Sequence, residues 1–205
     1  MTDTVFDRQR VERGRLLEYL RTLTESAFEQ PSLCADYRVR DVVGHLIGGA
    51  KSTPPRFLAD LVRARFDFHR AMRAAADRNS GGTAEDLVRR FESVQGARAR
   101  PGTSLLAEIV VHAEDIRRPL CAGPAEYDPT TLRLVADHCV KAGGPIGAKK
   151  RVAGLRLQAT DQDWSSGEGP VLSGPLLSLV LAMTGRPVAH SDLSGAGLDT
   201  LAGRS

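Results

Sequence analysis

Six apolar residues, Val39, Val42, Val43, Leu46, Ile47 and Ala50, recur at i, i+3, i+4, i+7, i+8 and i+11. A helix brings that set onto one face, whereas a strand scatters it over both. A helix with one continuous apolar face has to bury it against neighbouring elements. The flanking sequence supplies helices for that purpose. Leu16, Leu17, Leu20 and Leu23 give a stripe within a helix predicted from about Val5 to Phe28, stopped by Gln30-Pro31-Ser32. Pro54-Pro55 interrupts the second helix, and a more basic helical stretch follows through Phe57, Leu58, Leu61 and Val62. An Arg/Ala helix is predicted from Asp67 to Arg78, closed by Asn79-Ser80-Gly81-Gly82. Thr83 and Asp86 have the spacing of an N-cap and its first-turn carboxylate, opening a helix to Gln95. After Arg100-Pro101-Gly102, Thr103 or Ser104 caps a helix through Arg118, and Pro129 to Lys141 forms one more.

The texture then changes. Val152, Leu155, Leu157 and Ala159 alternate with polar residues, the period of a half-buried strand. Turn-rich sequence surrounds the single Trp, and a short apolar helix from Pro175 to Gly185 precedes a Gly-rich tail. The expected fold class is α+β and mainly α: a helical bundle over residues 1–145 and a small C-terminal α/β domain over 150–205, with the boundary near Gly143 to Lys150. At 205 residues the chain can bury a core without disulfides or a structural metal. Its three cysteines are odd in number and lack CxxC spacing, so no disulfide framework is expected.

Residues 1–15 hold no apolar run of signal-peptide length, and the stretch Leu176 to Met183 is far short of the roughly 20 residues that span a bilayer. A cytoplasmic location without membrane partners is expected. A net charge of +3 is too slight to indicate nucleic acid, and Arg63, Arg65, Arg70, Arg73 and Arg78 read as a solvated face. Of the basic residues 24 are Arg and 4 are Lys, the bias of a GC-rich coding sequence of actinobacterial type.

The sharpest chemical constellation is Glu108-Ile-Val-Val-His112. Residues four apart share a helix face, so a carboxylate and an imidazole project together, with Asp115 extending the polar ridge beside Leu105, Ile109 and Ile116. Two ligands pre-spaced by a helix suit a divalent ion; a surface Glu/His pair has the same spacing. His45 is the candidate third ligand. Gly44, Gly48 and Gly49 surround it, which means either that a ligand approaches this face or that another helix packs tightly there. His69, His138 and His190 read as structural or exposed, and Cys34 as a small core residue.

Three ordered blocks carry a family resemblance. Pro31-Ser32-Leu33-Cys34 with Tyr37-Arg38-Val39-Arg40-Asp41-Val42-Val43-Gly44-His45-Leu46 resembles the opening motif P-S-x-C-x-x-W-x-V-x-D-V-x-x-H-L of the mycothiol-dependent maleylpyruvate isomerase family. Glu108 to Leu120 resembles its second signature, E-x-x-x-H-x-x-D-I-R-R-P-L. Gly154 to Ser165 and Gly174 to Pro187 look like the strand, turn and helix of its small second domain. Tyr37 stands where the family usually has Trp, and the chain looks short for an isomerase, with an abbreviated second domain.

The resemblance implies a DinB-like four-helix bundle holding a divalent ion, usually zinc, through His45, Glu108 and His112. It also implies mycothiol as thiol cosubstrate and a second domain that helps close the pocket. Three ligands leave an open position at which a thiol loses its proton and adds to a small electrophile, for isomerisation or S-transfer. Asp115, with Asp41, would orient the imidazoles. Arg186 would bind a substrate carboxylate or the thiol cofactor, or simply sit as a cation at a helix end. A metal-dependent hydrolase and a non-enzymatic metal-binding or regulatory protein are the alternatives. The protein is expected to be a monomer or homodimer.

Overall fold

Local capping sets most helix starts in the computed structural model, which describes residues 4–98 and 102–204. Helix α1 (Val5–Arg21) opens with a capping box in which Thr4 and Asp7 exchange hydrogen bonds, Asp7 N–H donating to the Thr4 hydroxyl at 3.2 Å. The stripe expected to run on to Phe28 breaks. The hydroxyl of Thr24 accepts from the Ala27 N–H at 3.3 Å and starts a separate turn, α2 (Glu25–Phe28). A threonine that competes for backbone donors in this way favours a cap over a helix interior.

Helix α3 (Val39–Lys51) carries the six-residue stripe. The prolines that interrupt it become the first turn of α4 (Pro54–Arg63), where a missing N–H costs nothing. Asp67 caps α5 (Phe68–Ser80), and Thr83 with Asp86 forms a capping box on α6 (Ala84–Glu92). Helix α7 (Thr103–Arg117) starts from Gly102, not from a Thr103 or Ser104 side chain. The φ of +116° at Gly102 is open to glycine alone, so the backbone turn does the work of a cap. Arg100 and Pro101, read as the loop ahead of it, lie outside the described residues.

Helices α1, α3, α6 and α7 make the four-helix bundle. Its core joins Leu16, Leu17 and Leu20 to the α3 stripe, Leu87 and Phe91 of α6, and Leu105, Ile109, Ala113 and Ile116 of α7. Helix α5 lies on another side of α3 and adds nothing to that core. It comes so close that a Cβ on Gly44 would stand 2.7 Å from the Ala76 carbonyl oxygen and 3.0 Å from Ser80.

Packing divides the chain into Met1–Ala125 and Glu126–Ser205. The division falls ahead of the Gly143 to Lys150 boundary read from the change of texture. Helix α8 (Pro129–Cys139) looks like one more bundle helix in sequence, but it packs on α10 (Leu176–Met183) within the second unit. All eight residues of α10 are buried, in keeping with a helix apolar on every side.

After the short α9 (Ala148–Arg151), three strands form a sheet in the order β2-β1-β3. Strand β1 (Arg156–Ala159) pairs antiparallel with β2 (Ser165–Ser166) and parallel with β3 (Val171–Gly174). The alternation read from Val152 enters the sheet only at Arg156, because α9 and a turn at Gly154 (φ +69°) take up the residues before it. Strand β3 is too short to show a period, and the Gly-rich tail ends in another short helix, α11 (Leu198–Ala202).

The glycines of α3 give a stability test. Gly44→Ala drives a methyl group into the α5 backbone and should cost about 1–3 kcal/mol. Gly49→Ala, whose Cβ would meet only Glu108 Oε2 at 3.5 Å, should change stability by less than about 1 kcal/mol. Urea midpoints of the two variants check the difference, and equal midpoints would contradict it.

Candidate functional site

The first turn of α3 is fixed by Asp41. Its carboxylate accepts the Arg38 N–H at 3.0 Å and the Arg38 Nε at 3.1 Å, with Arg73 of α5 at 3.8 Å. Burial raises the Asp41 carboxyl, but the hydrogen bonds and charge of Arg38, together with the charge of Arg73, outweigh it and hold the pKa below the ordinary 3.8. Asp41, expected to orient His45, is thus engaged in anchoring the helix start.

One turn on, His45 lies half-buried at the edge of the apolar stripe. Its ring centre is 4.8 Å from that of His112 on α7, with the planes at 72°. Glu108 stands one turn before His112, and its Oε2 lies 3.5 Å from where a Cβ on Gly49 would be. The three glycines around His45 therefore divide. Gly44 and Gly48 admit α5, a Cβ on the latter coming 3.4 Å from the Ala75 carbonyl oxygen, while a Cβ on Gly49 would meet the Glu108 carboxylate. Its position, four residues after His45, was the sequence signal for that role.

His112 Nδ1 is 2.8 Å from Asp115 Oδ2, and the Asp115 side chain is wholly buried. With the carboxylate as acceptor, Nδ1 is the donor, and Nε2 is the nitrogen left for another partner. The main chain of Asp115 is tied as well, since its carbonyl accepts the Leu33 N–H at 3.1 Å. That bond fastens the Pro31 to Arg38 segment beside the site. Within it, the Ser32 hydroxyl donates to the Tyr37 carbonyl at 2.8 Å, and the Arg73 guanidinium lies 4.8 Å over the Tyr37 ring. Sequence reasoning missed this fastening, which joins residues far apart in the chain.

Among the described residues, no three His, Cys, Asp or Glu side chains are gathered into a group able to close around a metal ion. The predicted ligands are adjacent in part: His45 against His112, and Glu108 against α3. In the second unit, Arg186 donates to the Thr184 carbonyl at 2.6 Å and Arg151 to the Met183 carbonyl at 2.6 Å, so both guanidiniums meet the C-terminal end of α10. Cys34 is half-buried against the bundle core and Cys121 is exposed. Burial pushes the Cys139 thiol up to about 12.

Residues 10–136 match the family model described as the mycothiol maleylpyruvate isomerase N-terminal domain. No curated protein matches the sequence significantly. Two solved structures share the fold. One is a histidine-to-alanine mutant of the mycothiol-dependent maleylpyruvate isomerase, with a TM-score of 0.63 at 14% identity over 93% of this chain and 91% of that one. The other is the isomerase itself, with a TM-score of 0.60 at 12% identity over the same shares. Coverage of 91% leaves little room for the abbreviated second domain expected from length.

The anchoring of α3 is testable through pH. The Asp41 pKa is lower folded than unfolded, so its contribution to stability is full above the unfolded value and is lost as pH falls through the folded one. Asp41→Asn should be less stable by about 1 kcal/mol at neutral pH. It should also lose less stability than wild type between neutral pH and about pH 3. Urea unfolding at the two pH values reads this, and parallel losses would contradict it.

Proposed function

Given that the chain belongs to the mycothiol maleylpyruvate isomerase N-terminal domain family, we propose that it is a metal-dependent enzyme. It activates a low-molecular-weight thiol, mycothiol, for isomerisation or S-transfer on a small electrophilic substrate. The observation that carries this reading is the meeting of His45 and His112 at 4.8 Å, one of them fixed through Nδ1 by a buried carboxylate. Two imidazoles bound to one ion through nitrogens about 2.0–2.1 Å from it have ring centres roughly 5 Å apart, so this spacing suits common ligation.

The donor set fits a divalent ion in kind. His45, His112 and Glu108 would hold it, and two imidazoles with one carboxylate suit zinc among several first-row metals. The three donors come from α3 and α7, which pack against each other. When bound, the ion supplies a Lewis acid that lowers the pKa of a thiol and polarises a carbonyl.

The chain's own residues do the rest. Asp115 holds the His112 ring so that Nε2 is the presented nitrogen, and its burial keeps water from competing for that bond. Gly49 leaves the Glu108 carboxylate room beside α3. Arg186 is proposed as the partner of a substrate carboxylate, or of one on the thiol, through bidentate donation.

Elemental analysis of untreated wild type and Glu108→Ala tests the ligand set. About one metal per chain in wild type and none in a still-helical Glu108→Ala is expected; full occupancy in the variant, or none in wild type, would contradict it. Asp115→Asn should keep the fold and weaken metal retention by roughly 10–100-fold. Turnover of an electrophile should require mycothiol, and equal rates with simple thiols would argue against a dedicated thiol site. Inhibition by added thiol of a proton-releasing hydrolysis would favour the hydrolase. In Arg186→Ala a raised KM with kcat retained is expected, whereas unchanged kinetics with a lowered Tm would leave that residue its place at the end of α10.

A further inference from the structure

Helix α4 supplies no residue to the bundle core. None of its residues is buried, and it touches the bundle through α5, with Phe57 6.4 Å from Phe68 on that inner side. On its outer side Leu58 and Val62 are 57% and 54% exposed, and Phe66 at the corner that follows is 71% exposed. Arg65 and Phe66 both take left-handed backbone, with φ of +57° and +64°. A bulky aromatic residue rarely adopts that conformation, and here it turns the corner with the Phe66 ring in solvent.

The charges around this ridge are one-sided. Residues 51–70 hold Lys51, Arg56, Arg63, Arg65 and Arg70 against Asp60 and Asp67, which equals the whole chain's net charge of +3. Both acids are engaged. Asp60 is turned inward onto Arg78 at 2.6 Å and Arg63 at 3.4 Å, and Asp67 caps α5. Among the described residues the side chains of Arg56, Arg65 and Arg70 make no ion pair. The arginine run that reads as a uniform solvated face is therefore two sets. Arg73 and Arg78 are committed to Asp77 and Asp60 within the fold and Arg63 shares Asp60, while Arg65 and Arg70 make no ion pair and lie within four residues of Phe66.

We propose that Leu58, Val62 and Phe66, with Lys51, Arg56, Arg65 and Arg70 around them, form a docking surface for an anionic lipid layer. Charge complementarity selects the occupant. A second copy would bring the same excess of positive charge against itself. The ridge stands out from the fold as the outer side of a helix with no buried residue, whereas the hot spots of protein partners fill pockets. Apolar side chains entering the headgroup region with arginines at phosphate level match such a ridge. Three apolar side chains make the attachment reversible, and it is distinct from spanning: no helix among the described residues is long and apolar enough to cross a membrane.

The test is co-sedimentation of the full chain with vesicles of phosphatidylglycerol and phosphatidylcholine, or of phosphatidylcholine alone. Binding to the anionic vesicles at low salt, little to the neutral ones, and release in about 1 M salt are expected. Arg56→Gln and Arg65→Asn should each weaken binding roughly fivefold. Phe66→Asn, which suits left-handed backbone, should weaken it further while wild-type helicity and Tm are kept. Absent binding, equal binding to neutral vesicles, or indifference to both the Phe66 and the arginine variants would overturn the proposal. A dimer in sedimentation velocity that Phe66→Asn dissociates would also overturn it, assigning the ridge to a second copy.

Discussion

Helix α3 is constrained on two sides, and the first unit is built around meeting both constraints. Its apolar stripe closes the bundle core, while on another side it lies against α5 at a separation that only glycine permits at residue 44. Side chains there would push α5 away, and with it Arg73, whose guanidinium covers Tyr37 and approaches Asp41. The half-buried edge left between these contacts is where His45 projects.

The same logic explains what was legible in the sequence. The α3 stripe, the Thr83–Asp86 box and the Glu108–His112 spacing are local patterns, and each is read within one or two turns of helix. Thr24 is equally local, but Leu23 continues the apolar stripe past it, and periodicity outweighs one competing cap in a sequence reading. The burial of Asp115, the division of three adjacent glycines between two partners, and the move of α8 into the second unit depend on residues far away along the chain. No window over the sequence contains them. Strand β3 escapes for another reason: four residues beside a glycine carry too little alternation to be told from a turn.

Charged residues show a similar split between what composition and contacts convey. Counted along the chain, the arginines of residues 63–78 are one basic run. In the fold, position decides their role: Arg73 and Arg78 of α5 meet carboxylates, Arg63 at the end of α4 shares Asp60 with Arg78, and Arg65 at the corner and Arg70 are exposed without an ion pair among the described residues. Asp41 illustrates the converse. Its place one turn before His45 invites a reading as a partner of the imidazole, yet the nearer demand is from the unsatisfied N–H groups and the Arg38 side chain at the helix start.

The thiol of Cys139 has a consequence for redox chemistry. With its pKa near 12, roughly one such group in 10⁵ is a thiolate at neutral pH. Thiol–disulfide exchange is the attack of a thiolate on a disulfide, so the disulfide form of a small thiol meets almost no attacking sulfur at this position. Small disulfides around the protein can therefore leave the interior of the second unit without mixed disulfides.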